Sequence, residues 1–306
     1  MSEKRINLQN TPDIEGVVAR SVSFDSDGVN LKGVLYAPTR VASPFPAVIV
    51  TGAWTTIKEQ MAGTYARELA ARGYAALAFD FRGWGESDGA PRYIEDPKKK
   101  TQDITAAIAF LCSLDEIDRH QISGLGICAS AGYMAAAVVE KKEFFKLALV
   151  APWLHEPEMA VGIYGGSEKV SKLIASSETE NAQSRILLGA SVEDESAVMH
   201  QVPYYTEPDR GLIAEYDNKF SVASWKPWLT YDAISSAERL TKPLLIVGSP
   251  SMALPAGVAA YEARTKAPLQ RVWLGEDVSQ FDFYDRADVV AKSADAVAAF
   301  LADERY

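Results

Sequence analysis

The sequence predicts an α/β fold: a mostly parallel central sheet with helices on both faces and an inserted helical cap. Three observations predict it. Short apolar runs bounded by turn residues alternate with stretches of helical periodicity, the alternation is interrupted over residues 152–233, and it then resumes. Alternation of this kind implies parallel pairing through right-handed crossovers. An interruption followed by the same pattern reads as an insertion between two strands of one sheet. Residues 1–151 and 234–306 are therefore expected to form the core domain and residues 152–233 the cap. With 306 residues, 48% of them hydrophobic, the chain can fill a core of that size.

Strand-like runs over residues 17–24 and 31–36 flank Asp25-Ser26-Asp27-Gly28, the pattern of a hairpin. Residues 45–50 are continuously apolar, as in a strand buried on both faces. Met61, Tyr65 and Leu69 recur at helical spacing over residues 59–72, and Gly73 supplies a stop. A strand over 74–79 leads into a Gly-rich turn, residues 80–87. A helix over 97–111 then carries Ile104, Ile108 and Leu111 on one face. Further strands are expected over 121–127 and 146–151. After the interruption come a strand over 243–248, a helix over 255–264, a strand over 270–274 and a last helix over 288–301. The interrupting segment is helix-prone but irregular and rich in aromatic residues. Ligands of open α/β sheets bind beyond the carboxyl ends of the strands, where this segment begins. Tyr204, Trp225 and Trp228, with Trp54 from the core, are therefore expected to line a substrate pocket.

Composition narrows the function classes. A net charge of −10 without a clustered basic stripe argues against nucleic acid as a partner. The polar first fifteen or so residues carry no apolar leader segment, and no apolar run reaches membrane-spanning length, so a cytoplasmic protein is expected. Two cysteines are few for a secreted scaffold, and the three histidines lie far apart in sequence, so no metal site is suggested. No phosphate-cradling glycine loop follows the first strand, and no dissociable cofactor is implied. The expected partner is a small-molecule substrate; a homodimer is left open.

The chemistry centres on Gly124-Leu125-Gly126-Ile127-Cys128-Ala129-Ser130-Ala131-Gly132. An apolar strand runs into Cys128 and small residues start a helix at once. That is the pattern of a nucleophile elbow, in which the residues two before and two after the nucleophile must be small for strand and helix to crowd together. Gly126 and Ser130 satisfy this. The helix N-terminus would favour a thiolate at Cys128; the alternative reading is a buried structural cysteine.

With these motifs the chain resembles the α/β-hydrolase fold, and within it the dienelactone-hydrolase-like enzymes that carry cysteine at the elbow. Thr51-Gly52-Ala53-Trp54 stands where that family has its oxyanion loop, and residues 80–87 are similar to its D-x-R-G-x-G-x-S turn. The resemblance implies Cys128 as nucleophile, with the backbone N–H of Ala129 and that of Ala53 or Trp54 as oxyanion hole, and a structural role for Arg82 and Ser87. It also implies a carboxylate after the strand ending at Gly248 and a histidine after the strand ending at Leu274. Neither is present: residues 249–255 hold no acid, and Gln280 stands at the histidine position. An amide cannot serve as a general base near neutral pH. His155, just past the strand ending at Ala151, is the remaining base candidate, with Glu156 to orient it or Asp277 contributing. The expected activity is hydrolysis or acyl transfer on a small ester, thioester or lactone. The alternatives are a non-hydrolytic lyase, isomerase or cyclase on the same scaffold, and a small-ligand-binding protein without turnover.

Overall fold

The computed structural model describes residues 4–6, 8–9 and 12–305. Strands β1 (Val17–Ser26) and β2 (Val29–Pro38) pair antiparallel along their whole length. Asp27 and Gly28 between them take φ of 56° and 79°. Two consecutive left-handed residues make the tight two-residue hairpin turn for which Asp-Gly is suited.

Strand and helix then alternate: β3 (Phe45–Thr51), α1 (Met61–Ala71), β4 (Ala75–Phe79), α2 (Pro97–Cys112), β5 (Ile117–Ile127), α3 (Ser130–Glu140) and β6 (Phe144–Val150). The inserted segment holds α4 (Pro157–Ile163), α5 (Ser167–Ser177), β7 (Ile186–Leu188), β8 (Ala190–Ser191), β9 (Met199–His200), α6 (Pro203–Thr206), β10 (Lys219–Ser221) and α7 (Trp225–Leu229). Alternation resumes with β11 (Leu244–Gly248), α8 (Pro255–Arg264), β12 (Leu269–Trp273), the single turn α9 (Asp282–Asp285) and α10 (Ala287–Ala302).

The core strands form one eight-stranded sheet in the order β1-β2-β4-β3-β5-β6-β11-β12. Pairing is antiparallel from β1 through β2 to β4 and parallel from β4 onward. The crossover through α1 steps one way along this row and those through α2 and α3 step the other way. Right-handedness therefore puts α1 on the opposite face from α2 and α3. In keeping with that, α1 packs with α10, and α2 with α3. Strands β3, β4, β6 and β11 are buried almost throughout, which is why they read as unbroken apolar runs.

Strands β6 and β11 are direct neighbours although the inserted segment separates them in sequence. The segment is not purely helical, which corrects the sequence expectation. It contains an antiparallel pair, β7 with β10, and a parallel pair, β8 with β9. Half-buried Leu187 between exposed Ile186 and Leu188 is a period-two pattern, too short to stand out from its helix-prone surroundings. Among the described residues no helix is long and apolar enough to cross a membrane.

Candidate active site

Where β5 ends, the chain turns through Cys128 into α3. Cys128 has φ of 56°, a conformation that costs a side-chain-bearing residue about 1–3 kcal/mol and persists only where its surroundings impose it. The neighbouring strand imposes it here: Cys128 N–H donates to Val150 O at 3.1 Å, and Cys128 O accepts from Ala131 N–H at 3.1 Å and Trp153 N–H at 2.9 Å. A Cβ on Gly126 would lie 2.7 Å from Ala131 Cα and 2.8 Å from Ser130 O, so glycine alone permits this approach of strand and helix. Ser130 is buried and fully engaged: its Oγ donates to Thr51 O at 2.9 Å and accepts from Ile127 N–H at 3.1 Å.

Cys128 lines a cavity of about 270 Å³ together with Ala129, Trp54, Trp228, Gln280 and Tyr284. None of the lining residues is charged. Burial pushes the Cys128 thiol up, and three donors act against it: the Tyr284 hydroxyl and the backbone N–H groups of Ala129 and Trp54. Desolvation thus works against the thiolate that a helix N-terminus favours.

Of the two amides expected in the oxyanion loop, that of Trp54 lowers the Cys128 thiol pKa together with that of Ala129, whereas Ala53 N–H donates to Met61 Sδ at 3.4 Å. The Trp54 peptide is held from both sides. Tyr205 donates its hydroxyl to Trp54 O at 3.3 Å. Thr55, at φ of 63°, donates its N–H to buried Glu95 Oε2 at 3.1 Å.

Gln280 lines the same cavity as Cys128, with both N–H donors and one oxygen lone pair of its amide engaged. Its Oε1 accepts from Ala253 N–H at 3.0 Å, and its Nε2 donates to Ala151 O at 2.8 Å and to Tyr284 Oη at 3.0 Å. A carbonyl on one side and an N–H on the other fix the orientation of the amide. Tyr284 is the residue that sequence reasoning missed. It lies four residues after Gln280, one turn along, and its hydroxyl accepts from Gln280 Nε2–H in the wall of the cavity that Cys128 also lines. Burial first, then the neighbouring thiol, keeps that phenol protonated far above its ordinary range. Arg210 anchors this turn from the inserted segment, gripping Asp285 through Nε at 2.5 Å and a terminal nitrogen at 2.9 Å.

His155 is not at the elbow, which corrects its expected role as base. Its Nδ1 accepts from Trp153 Nε1–H at 3.2 Å, and Nε2–H is then donated to Trp228 O at 3.0 Å. With both nitrogens taken and burial lowering its pKa, it braces two cavity tryptophans instead. Glu156 pairs with Arg264 at 2.8 Å, and exposed Asp277 with Arg286 at 3.2 Å, so neither serves the thiol.

Trp54 and Trp228 line the cavity as expected. Trp225 and Tyr204 do not: Trp225 backs the wall against Phe220 at 4.8 Å, and Tyr204 packs behind Tyr205 and Tyr284 at 5.1 and 5.0 Å. Tyr205, Tyr164 and Trp153 take lining positions that the sequence did not single out. Glu59, Asp80 and Glu86 bring carboxylate oxygens within 4.8 Å of one another. Lys58 Nζ already occupies the space among them, at 2.5, 2.8 and 2.7 Å respectively. In the same turn Ser87 Oγ donates to Asp80 O at 2.6 Å, and Arg82 pairs with Asp103 rather than Asp80.

The family model for X-Pro dipeptidyl-peptidase (S15 family) matches residues 27–250, from the hairpin turn to the loop after β11, and ends before Gln280. Over 307 aligned residues the chain is 29% identical to the uncharacterized protein YcjY of Escherichia coli (strain K12), covering 92% of this chain and 97% of that one. A shorter match, 32% over 133 residues, is to a thiohydrolase of Eupenicillium brefeldianum and covers 43% of this chain and 42% of that protein. The crystal structure of a hypothetical protein from Pseudomonas aeruginosa shares the fold with a TM-score of 0.82 over 95% of each chain, at 23% identity. The family match takes in well over half of the sequence, including the elbow and all the parallel strands but β12. The chain belongs to the X-Pro dipeptidyl-peptidase (S15) family, built on the α/β-hydrolase fold.

Proposed function

We propose that this α/β-hydrolase acts on a small neutral ester, thioester or lactone by hydrolysis or acyl transfer, with Cys128 as the nucleophile. One observation carries the reading: Sγ lines an uncharged, mostly apolar cavity at a strained elbow, beside two backbone N–H donors from separate loops. A carbonyl carbon bonded to that sulfur would hold its oxygen against the same donors as negative charge develops. The resemblance to elbow-cysteine enzymes supports the assignment, as does the partial likeness to a protein named a thiohydrolase.

The lining decides among substrate classes. Release of dipeptides from an N-terminus requires a site for a charged α-amino group, and the cavity wall offers no carboxylate. An uncharged, aromatic wall suits an apolar acyl portion, and about 270 Å³ is at the small end for ligand sites. The buried Trp54 Nε1–H has no acceptor among the described residues, which suits a substrate bearing one more carbonyl or ether oxygen. Both cysteines are free, and a reducing cytoplasm would keep Cys128 a thiol.

The raised thiol and the absence of a histidine favour a second reading, in which the cavity binds a carbonyl compound for non-hydrolytic chemistry or without turnover. Intact-protein mass after incubation with p-nitrophenyl esters and acyl thioesters separates the two. An adduct on the native protein that is missing from Cys128→Ala supports the nucleophile. No adduct and no released product from folded protein rejects it.

A further inference from the structure

A protonated thiol that is to attack a carbonyl must lose its proton during the attack, and the histidine that would take it is replaced by Gln280. The geometry points to Tyr284 as the proton carrier: held by Gln280, its hydroxyl relays the Cys128 S–H proton to the leaving group. This rests on the proposal that Cys128 is the nucleophile.

The hydrogen-bond inventory of Oη makes the role possible. A phenol oxygen has two lone pairs and one proton. Gln280 Nε2–H occupies one lone pair at 3.0 Å, and that amide is itself pinned by Ala151 O and Ala253 N–H. The second lone pair and the hydroxyl proton are left for the cavity, which Cys128 lines as well. The ring is set by edge contacts with Tyr204 at 5.0 Å and Phe281 at 5.6 Å, so the hydroxyl has little freedom to swing away.

In the acylation step the Sγ–carbon bond forms and the bond from the carbonyl carbon to the leaving oxygen or sulfur breaks. The S–H proton moves to Oη while the original Oη proton moves to the leaving atom, which departs as a neutral alcohol or thiol. Deacylation is the same relay with water: a water proton moves to Oη, the Oη proton returns to Sγ, and a carboxylic acid leaves. Tyr284 is a neutral phenol before and after each step. The burial that keeps it from ionising therefore does not oppose the relay.

The test compares ethyl and p-nitrophenyl butyrate, which share an acyl group and differ in how much the leaving oxygen needs a proton. Adduct formation is followed by intact mass in the native enzyme and in Tyr284→Phe. The relay predicts a loss of about 100-fold or more with the ethyl ester and a much smaller loss with the p-nitrophenyl ester. Equal losses, or none, overturn it. A second measurement needs no variant: acylation of the native enzyme in H2O–D2O mixtures gives a bowed dependence if two protons move together, and a linear one overturns the relay. If neither ester labels native Cys128, the nucleophile itself is rejected and the relay falls with it.

Discussion

Glu95 holds the loop that carries Trp54, and removing its charge gives a prediction whose size follows from the structure. The carboxylate is fully buried and faces Lys100 Nζ at 2.8 and 2.9 Å; Tyr133 Oη–H donates to it at 2.8 Å and Thr55 N–H at 3.1 Å. Glu95→Gln keeps the shape and strands the ammonium among the rings of Phe81 and Trp84, 4.8 and 4.9 Å away. Removing one partner of a buried pair costs about 3–5 kcal/mol, and the ring faces return part of that, leaving about 3–4 kcal/mol. Thermal unfolding followed by near-UV circular dichroism should show a midpoint roughly 6–15 °C lower. Glu95→Gln/Lys100→Met should recover most of the loss. A deficit below about 1 kcal/mol, or a double variant no better than the single, would refute the reasoning.

Three further outcomes follow from the same geometry. Gly126→Ala should lose about 1–3 kcal/mol in urea unfolding, because its Cβ meets backbone of α3. Gly162→Ala in α4, where a Cβ meets nothing, should be neutral or slightly stabilising; similar effects at both sites would contradict the close approach. His155 has its pKa lowered by burial, so the stability it contributes is present above the unfolded value near pH 6.5 and lost as pH falls through the lower folded one. The melting temperature should therefore drop between pH 7.5 and 5.5 in the native protein and less steeply in His155→Gln; parallel slopes would argue against it. The uncharged cavity wall predicts that a mono-succinyl p-nitrophenyl ester has kcat/KM about 100-fold or more below that of the butyryl ester, since its carboxylate would be buried without a partner. Equal values would show that the acyl group binds elsewhere.

The core sheet was legible because its signals are strong and local. Buried parallel strands leave unbroken apolar runs, and α8 was read residue for residue from a proline start at Pro255 to Arg264. Most other boundaries moved by one or two residues, while β5 begins at Ile117, four residues before its expected start, because its first turn-facing residues are exposed and polar. The inserted segment was legible as an interruption but not as architecture. Its strands are two or three residues long, below the length at which a period of two is distinguishable from chance.

The site divides along the same physical line. The elbow at Gly126 and Cys128 was legible because backbone geometry restricts which residue types can stand there: a Cβ at Gly126 has no room, and Cys128 takes φ of 56°; Trp54 follows a strand end and lines the cavity. His155 misled because a histidine after a strand end is chemically suggestive whatever it faces. Only the positions of Trp153 and Trp228 show that its nitrogens are already used. Tyr284 was invisible for the opposite reason. In a run of Phe281-Asp282-Phe283-Tyr284-Asp285 nothing marks one aromatic residue as different, and its role depends on a proton inventory that includes the fixed amide of Gln280 one turn earlier. Under the proposed reading, the amide at Gln280 supplies no base, yet its place is not empty. A neighbour with both a donor and an acceptor stands between the amide and the thiol, and the chemistry open to Cys128 is what that hydroxyl permits.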